Sequence, residues 1–313
     1  MAAITSVPRG NNLYCYKGFC FLKDMMPLEY IDSLQDFKIR DDDIFLITYP
    51  KSGTIWTQQI LCLICSEGHR NGTEKIDTTE RMKWFECQTL NPDLDYNKLP
   101  SPRLFVSHLS ETFVPQELKN KKGKIIYVMR NPKDVIKSTY HFENLLAFSE
   151  KSPDFNHFFE KFLDGEVLLF YPVRIGNSSA LKFFAGKWFD HLRGWYTHKD
   201  DYNILFLKYE DMIKDLRSAV KQICTFLGVE LDDEAMDIVV KRATFKEMKN
   251  DSLANKEHLP ERIINRKLGS FMRKGQVGDW KNILTVAQSE QIDKLFQEKM
   301  GDLSLNFTWE LPE

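Results

Sequence analysis

Lys51, Ser52, Gly53 and Thr54 follow the apolar run Asp43–Tyr49 (DIFLITY) and lead straight into a helical pattern. A strand, a turn of small residues and a helix N-terminus together offer backbone N–H groups and a positive dipole end, and Lys51 adds a full charge. Such a loop suits a phosphate or a sulfate. It is not a Walker A sequence, in which Lys follows the last Gly, because Lys51 precedes Gly53. Three further apolar runs end in polar or cationic residues. Leu104–His108 (LFVSH) closes on Ser107 and His108, Ile125–Met129 (IIYVM) on Arg130 and Asn131, and Ile204–Lys208 (ILFLK) on Tyr209 and Glu210. If these runs are parallel neighbours, Lys51, His108, Arg130 and Tyr209 converge on the rim where open α/β sheets bind ligands. The other six histidines, His69, His141, His157, His191, His198 and His258, read as ordinary polar residues. A second basic, glycine-containing segment, Arg273-Lys274-Gly275-Gln276-Val277-Gly278, reads as another anion clamp. Two anion loops suit a nucleotide carrying phosphates at both ends of its ribose. No grouping of His, Cys, Asp and Glu has metal-ligand spacing, so no essential metal is expected.

The elements that must position these residues follow from the pattern. Short, continuous apolar runs separated by helix-length segments are the mark of parallel strands covered by helices on both faces. Helices are expected at Thr54–Cys65, at Pro132–Phe142 behind an Asn131 cap, at Leu216–Leu227, at Asp232–Ala243 and at Val286–Lys299. Residues Asn250–Asp279 lack apolar periodicity and read as a long, functional loop. The expected fold is α/β, one domain over 1–313 with a central parallel sheet flanked by helices. The composition agrees: 42% hydrophobic and 28% charged residues exclude disordered and fibrous classes. Lys plus Arg is 43 and Asp plus Glu is 45, a net charge of −2. That balance excludes a protein that coats nucleic acid or an anionic membrane, so any anion site is local. Six unpatterned cysteines, no apolar leader and no membrane-length run point to thiols in a reducing, cytoplasmic setting, where the sequons at Asn71, Asn177 and Asn306 carry no weight.

Three long strings together resemble the cytosolic sulfotransferases, which move a sulfuryl group from 3′-phosphoadenylyl sulfate (PAPS) to a small acceptor and release PAP. TYPKSGTIW (Thr48–Trp56) is similar to the family's 5′-phosphosulfate loop, YVMRNPKDVIKSTYHF (Tyr127–Phe142) to its 3′-phosphate strand, loop and helix, and RKGQVGDWKN (Arg273–Asn282) to its C-terminal signature. The strings YPKSGTIWTQ, EGHRNGTE, PSPRLFVSH and WFDHLRGWY resemble the amine sulfotransferase branch most. The resemblance implies that Lys51, Ser52, Gly53, Thr54 and Ile55 hold the phosphosulfate, with Lys51 neutralising charge on the leaving oxygen. It implies that Trp56 and Phe245 sandwich the adenine, with Tyr209 and Thr244 at its edge, and that Arg130, Ser138, Arg273, Lys274 and Gly275 grip the 3′-phosphate. His108 would be the general base. Trp84, Phe85, Phe142, Val106 and Ser107 would face the acceptor, with Tyr14, Phe19 and Phe21 contributing from the N-terminal segment and Glu86 or Glu143 meeting an amine.

The chain also departs from the family pattern. Val106 stands where relatives often carry Lys, and Ala243 stands where a hydroxyl residue is usual. Between Gly165-Glu166-Val167 and Gly186-Lys187-Trp188 lie positions 168–185, an insertion of about 16 residues beyond the usual spacing. It reads either as a lid over the acceptor site or as a disturbance of it. These departures leave open a second reading, a nucleotide-binding protein with impaired turnover. Lys281, Thr285, Val286 and Glu290 match the family's dimer motif, so a weak homodimer is expected.

Overall fold

The apolar runs form strands because a parallel sheet covers both of their faces; three of them are almost wholly buried, and Ile204–Lys208 is half-buried. A computed structural model describes residues 13–23, 26–69, 75–90, 93–147, 151–166, 168–171, 181–184 and 186–311. Among them the strands are β1 (Leu13–Tyr16), β2 (Phe19–Leu22), β3 (Ile44–Thr48), β4 (Lys83–Trp84), β5 (Leu104–Ser107), β6 (Lys124–Met129), β7 (Leu168–Tyr171), β8 (Leu181–Phe184) and β9 (Ile204–Lys208). The first six helices are α1 (Leu28–Ser33), α2 (Thr54–Ile64), α3 (Thr78–Arg81), α4 (Gln116–Lys119), α5 (Pro132–Leu145) and α6 (Phe155–Leu163). They are followed by α7 (Trp188–Thr197), α8 (Tyr209–Lys214), α9 (Leu216–Leu227), α10 (Asp233–Arg242), α11 (Phe245–Asn250) and α12 (Val286–Met300).

The main sheet has the order β4-β5-β3-β6-β9, and every pair in it is parallel. Strand β3 lies at its centre with all five residues buried. The register sets Ile47 opposite Ser107 on one side and Thr48 opposite Val128 on the other. The segments that follow β3, β5, β6 and β9 therefore leave the same edge of the sheet, as the sequence reading required. Helix α5 starts where Asn131 predicts: its side-chain oxygen accepts from the Asp134 N–H at 2.8 Å, and Pro132 occupies the first turn.

A second sheet was not foreseen. Strands β1, β2, β8 and β7 pair antiparallel in the order β1-β2-β8-β7, so the described part of the insertion is a pair of strands that extends the N-terminal hairpin. Positions 172–180 and 185 of the insertion lie outside the described residues. The pairing was hidden because the two halves of this sheet are far apart in sequence, and each is too short to show a period. The expectation of six thiols also changes: Cys15 is disulfide-bonded, while Cys62, Cys65, Cys87 and Cys224 are free. Residues 250–279 do run largely as loop, tied down by the buried ion pair of Lys256 with Asp77 and by the Ala147 N–H donating to the Ile263 carbonyl at 2.8 Å. Among the described residues no helix is long and apolar enough to cross a membrane.

Candidate active site

A cavity of about 480 Å³ opens at the edge where the parallel strands end. It is lined by Lys51, Gly53, Thr54, Ile55 and Trp56 from the first loop and start of α2, by Arg130 just before α5 and by Ser138 in the middle of it. Tyr209, Thr244 and Phe245 line it from the far side, Arg273, Lys274 and Gly275 from the long loop, and His108, Trp84 and Phe142 at one end. Segments separated by more than 200 positions thus meet on one concave surface, as the reading of strand ends expected.

Two glycines make the walls close. Gly53 adopts φ +102°, and a Cβ there would lie 2.8 Å from the Tyr209 ring; Gly275 adopts φ +63°, and a Cβ there would run into the Phe245 ring. Trp56 is held by its indole N–H, which donates to the Ala243 carbonyl at 2.7 Å, and its ring meets Tyr209 edge-on at 5.2 Å. The main chain of Ala243 therefore fixes a cavity wall even though its side chain has no hydroxyl.

The cations are organised rather than merely gathered. Arg130 donates from Nη1 to the Lys51 carbonyl at 3.2 Å and from Nη2 to the Gln276 carbonyl at 3.1 Å, and its guanidinium lies 4.2 Å from the Tyr209 ring centre. One side chain so joins the loop after β3 to the Arg273–Gly278 segment. Its Nε is buried with no hydrogen-bond partner, which fits a site built to receive a further acceptor such as a phosphate oxygen. Arg273 and Lys274 each approach the Asp279 carboxylate to 2.5 Å, and Lys137 approaches it to 3.4 Å. Burial would raise the pKa of Asp279, but the hydrogen bonds from Lys274 and Arg273 outweigh it and hold this carboxyl well below the usual carboxylate range. Asp134 accepts from the N–H groups of Gly278 at 2.9 Å and Trp280 at 3.0 Å, pinning the C-terminal signature to the first turn of α5. Neither aspartate was singled out in the sequence. Their positions inside the two matched strings were the available signal.

Lys51 has φ +66°, and its ammonium lies 3.8 Å from the Phe142 ring centre and 4.9 Å from that of Phe271. Burial pushes its pKa down to about 7, with repulsion from Arg130 and Arg273 adding to the effect. His108 is buried. Its Nδ1 lies 2.7 Å from the Thr48 carbonyl oxygen, which can only accept, so Nδ1 carries the hydrogen and Nε2 is the basic nitrogen. Burial pushes the His108 pKa down to about 3; the Thr48 contact opposes this, while His191 and Lys51 reinforce it. The Trp84 ring lies 4.8 Å from the imidazole.

Several expected acceptor residues are elsewhere. Phe85 is buried in the core, edge-on to Phe37, Phe45 and Phe105. Val106 and Ser107 are fully buried within β5 and do not line the cavity. Ser52 is buried in the loop and its side chain is not part of the lining. Tyr14, Phe19 and Phe21 are buried, the last two edge-on to Phe113, away from the cavity lining. Glu86 accepts from the His108 N–H at 2.9 Å and Glu143 from the Ser152 N–H at 2.8 Å, and neither lines the cavity. Gln276, within the expected second loop, and His141, within a matched string, line it too, and Met212, Ile213, Leu216, Met248, Phe271 and Met272 line it without a counterpart in the sequence reading. The sequence carries no signal that separates such residues from ordinary core or loop positions.

Comparison with known proteins agrees with this geometry. Residues 41–304 match the model of the sulfotransferase domain, and the chain belongs to the sulfotransferase family. PAPS is the sulfuryl donor of that family, the enzyme and cofactor class expected from the sequence. Among its relatives is the rabbit (Oryctolagus cuniculus) amine sulfotransferase, 49% identical over 95% of this chain and 93% of its own. Human Sulfotransferase 2A1 is 39% identical, over 88% of this chain and 90% of its own. A mouse sulfotransferase solved in complex with PAP superposes with a TM-score of 0.70 at 31% identity, covering 94% of this chain and 97% of that one.

Proposed function

We propose that this protein transfers the sulfuryl group of PAPS to a small acceptor, an amine, a phenol or an alcohol, with His108 as the general base. The observation that carries the reading is the tautomer of His108: a backbone carbonyl takes the Nδ1 hydrogen, so Nε2 is the basic nitrogen, and His108 lines the same cavity as Lys51. PAPS supplies the activated sulfuryl group. Lys51, Thr54 and the backbone at the start of α2 hold its 5′ end, and the Lys51 ammonium offsets charge on the departing oxygen. Trp56 and Phe245 face the base, with Tyr209 and Thr244 at its edge. Arg130, Ser138 and the Arg273-Lys274-Gly275 segment hold the 3′-phosphate, for which the guanidinium forks are suited. His108 takes the acceptor's proton as the nucleophile attacks sulfur in line. A pKa near 3 would make it a weak base, but the negative charge of the bound nucleotide favours imidazolium and raises it.

Trp84, Phe142 and Phe271 give the acceptor an aromatic slot, and the name of the rabbit relative supports an amine among the acceptors. Residues 1–313 act as one domain in the cytoplasm, and Lys281, Thr285, Val286 and Glu290 form a small homodimer contact, for which the 75% exposure of Val286 is the support. The deciding experiment incubates the protein with sulfur-labelled PAPS and a panel of amines, phenols and alcohols. Labelled product is expected. A folded protein that binds PAP tightly and labels none of them overturns the transferase reading in favour of nucleotide binding alone.

A further inference from the structure

We propose that His191 is a positioning residue for His108, acting through the main chain of the general base; this rests on the role just assigned to His108. Strand β5 ends at Ser107, so the peptide groups of the next residues have no partner strand and need other hydrogen bonds. Helix α7 supplies those of the carbonyls. His191 Nε2 lies 3.1 Å from the His108 carbonyl oxygen, and one turn later the Trp195 indole N–H donates to the Leu109 carbonyl at 3.2 Å. Two side chains on one helical face thus hold consecutive carbonyls of the catalytic segment.

The hydrogen of His191 is fixed as firmly as that of His108. A carbonyl only accepts, so Nε2 carries the hydrogen; Nδ1 is then a lone pair, and it accepts from the Tyr127 hydroxyl at 2.9 Å. His191 is buried and its ring lies edge-on to Tyr49 at 5.7 Å, the residue that opens the phosphosulfate loop. With Glu86 on the His108 N–H and Thr48 on its Nδ1, the base is tied from three separate elements, at its amide, its carbonyl and its ring. A neutral histidine of set tautomer, buried away from the cavity lining yet bonded to the catalytic residue, is suited to orientation and not to proton transfer.

The test compares His191→Leu, His191→Gln and Tyr127→Phe with His108→Ala, measuring kcat, acceptor KM, PAP affinity and Tm. Leucine removes both bonds, while glutamine keeps a donor for the His108 carbonyl and an acceptor for Tyr127. His191→Leu is expected to lower kcat by about tenfold or more with PAP affinity nearly unchanged, and His191→Gln to restore most of it. Tyr127→Phe is expected to fall between them. On a His108→Ala background, His191→Leu is expected to cost nothing further, because its effect runs through the missing base. Unaltered kcat in His191→Leu, or full additivity with His108→Ala, overturns the proposal. If His191→Leu does not fold, Tyr127→Phe and His191→Gln decide: equal losses in kcat and PAP affinity in both would mean a general structural role. Undiminished turnover by His108→Ala overturns the general-base reading itself, a different outcome from any of these.

Discussion

The ammonium of Lys51 lies 3.8 Å from the centre of the Phe142 ring, so the cation of the loop after β3 rests against an aromatic face that lines the same cavity. The loop and the proposed acceptor slot therefore meet at one side chain. With a pKa lowered to about 7 by burial first and neighbouring guanidinium groups second, this lysine is a titrating group near neutral pH.

Nucleotide affinity should depend on pH through Lys51. A bound anion favours the charged ammonium, so the complex holds more protons than the free protein between about pH 7 and 10. PAP affinity measured calorimetrically should fall as pH rises through that window. In Lys51→Arg the guanidinium stays charged and the slope should flatten. An unchanged slope in that variant would place the titrating group elsewhere.

The buried imidazoles should remain neutral under mild acid. Burial lowers His108 to about 3 and His191 to about 4, so both keep one fixed tautomer down to about pH 5. Ring-nitrogen NMR of the free protein checks this directly, and titration of either ring near the ordinary histidine value would contradict it. Because the unfolded chain takes up protons that these two folded rings refuse, their contribution makes stability fall as pH drops below about 6.5.

Stacking at Trp56 should dominate recognition of the base. Trp56→Ala is expected to weaken PAP binding by about 1–3 kcal/mol, tenfold or more in the middle of that range. Trp56→Phe keeps a ring but loses the bond to the Ala243 carbonyl, so a smaller loss is expected. Equal losses in the two variants would show that the hydrogen bond, and not the ring face, sets the affinity.

Asp134 should matter to stability and nucleotide affinity together. Asp134→Ala removes the charged acceptor from the half-buried N–H groups of Gly278 and Trp280, at about 1–3 kcal/mol for the pair. A lower Tm and weaker PAP binding are both expected, with Asp134→Asn between the variant and the parent. Weak binding with an unaltered Tm would contradict this anchoring role.

Val286 tests the dimer. At 75% exposure it is a large apolar side chain in water, and Val286→Glu is expected to yield monomers by sedimentation with turnover intact. A parent protein that is monomeric at every concentration would remove the proposed contact.

The sequence by itself determined four of the five parallel strands, all but β4, and the edge of the sheet where Lys51, His108, Arg130 and Tyr209 gather. Those features are local: an uninterrupted apolar run names a strand buried on both faces, and the residue after it must sit at the sheet edge. Lys51, His108, Arg130 and Tyr209 were legible for that reason. Only the tertiary structure decided which residues do not reach the site, because whether Phe85 meets a ligand or Phe45 depends on segments far away in the chain. It also decided the second sheet, in which the N-terminal hairpin meets strands more than 150 positions later. Hydrogen positions were settled the same way. That Nδ1 of His108 and Nε2 of His191 carry the hydrogens follows from the carbonyl each ring faces, and no pattern in the order of the residues specifies which carbonyl that will be.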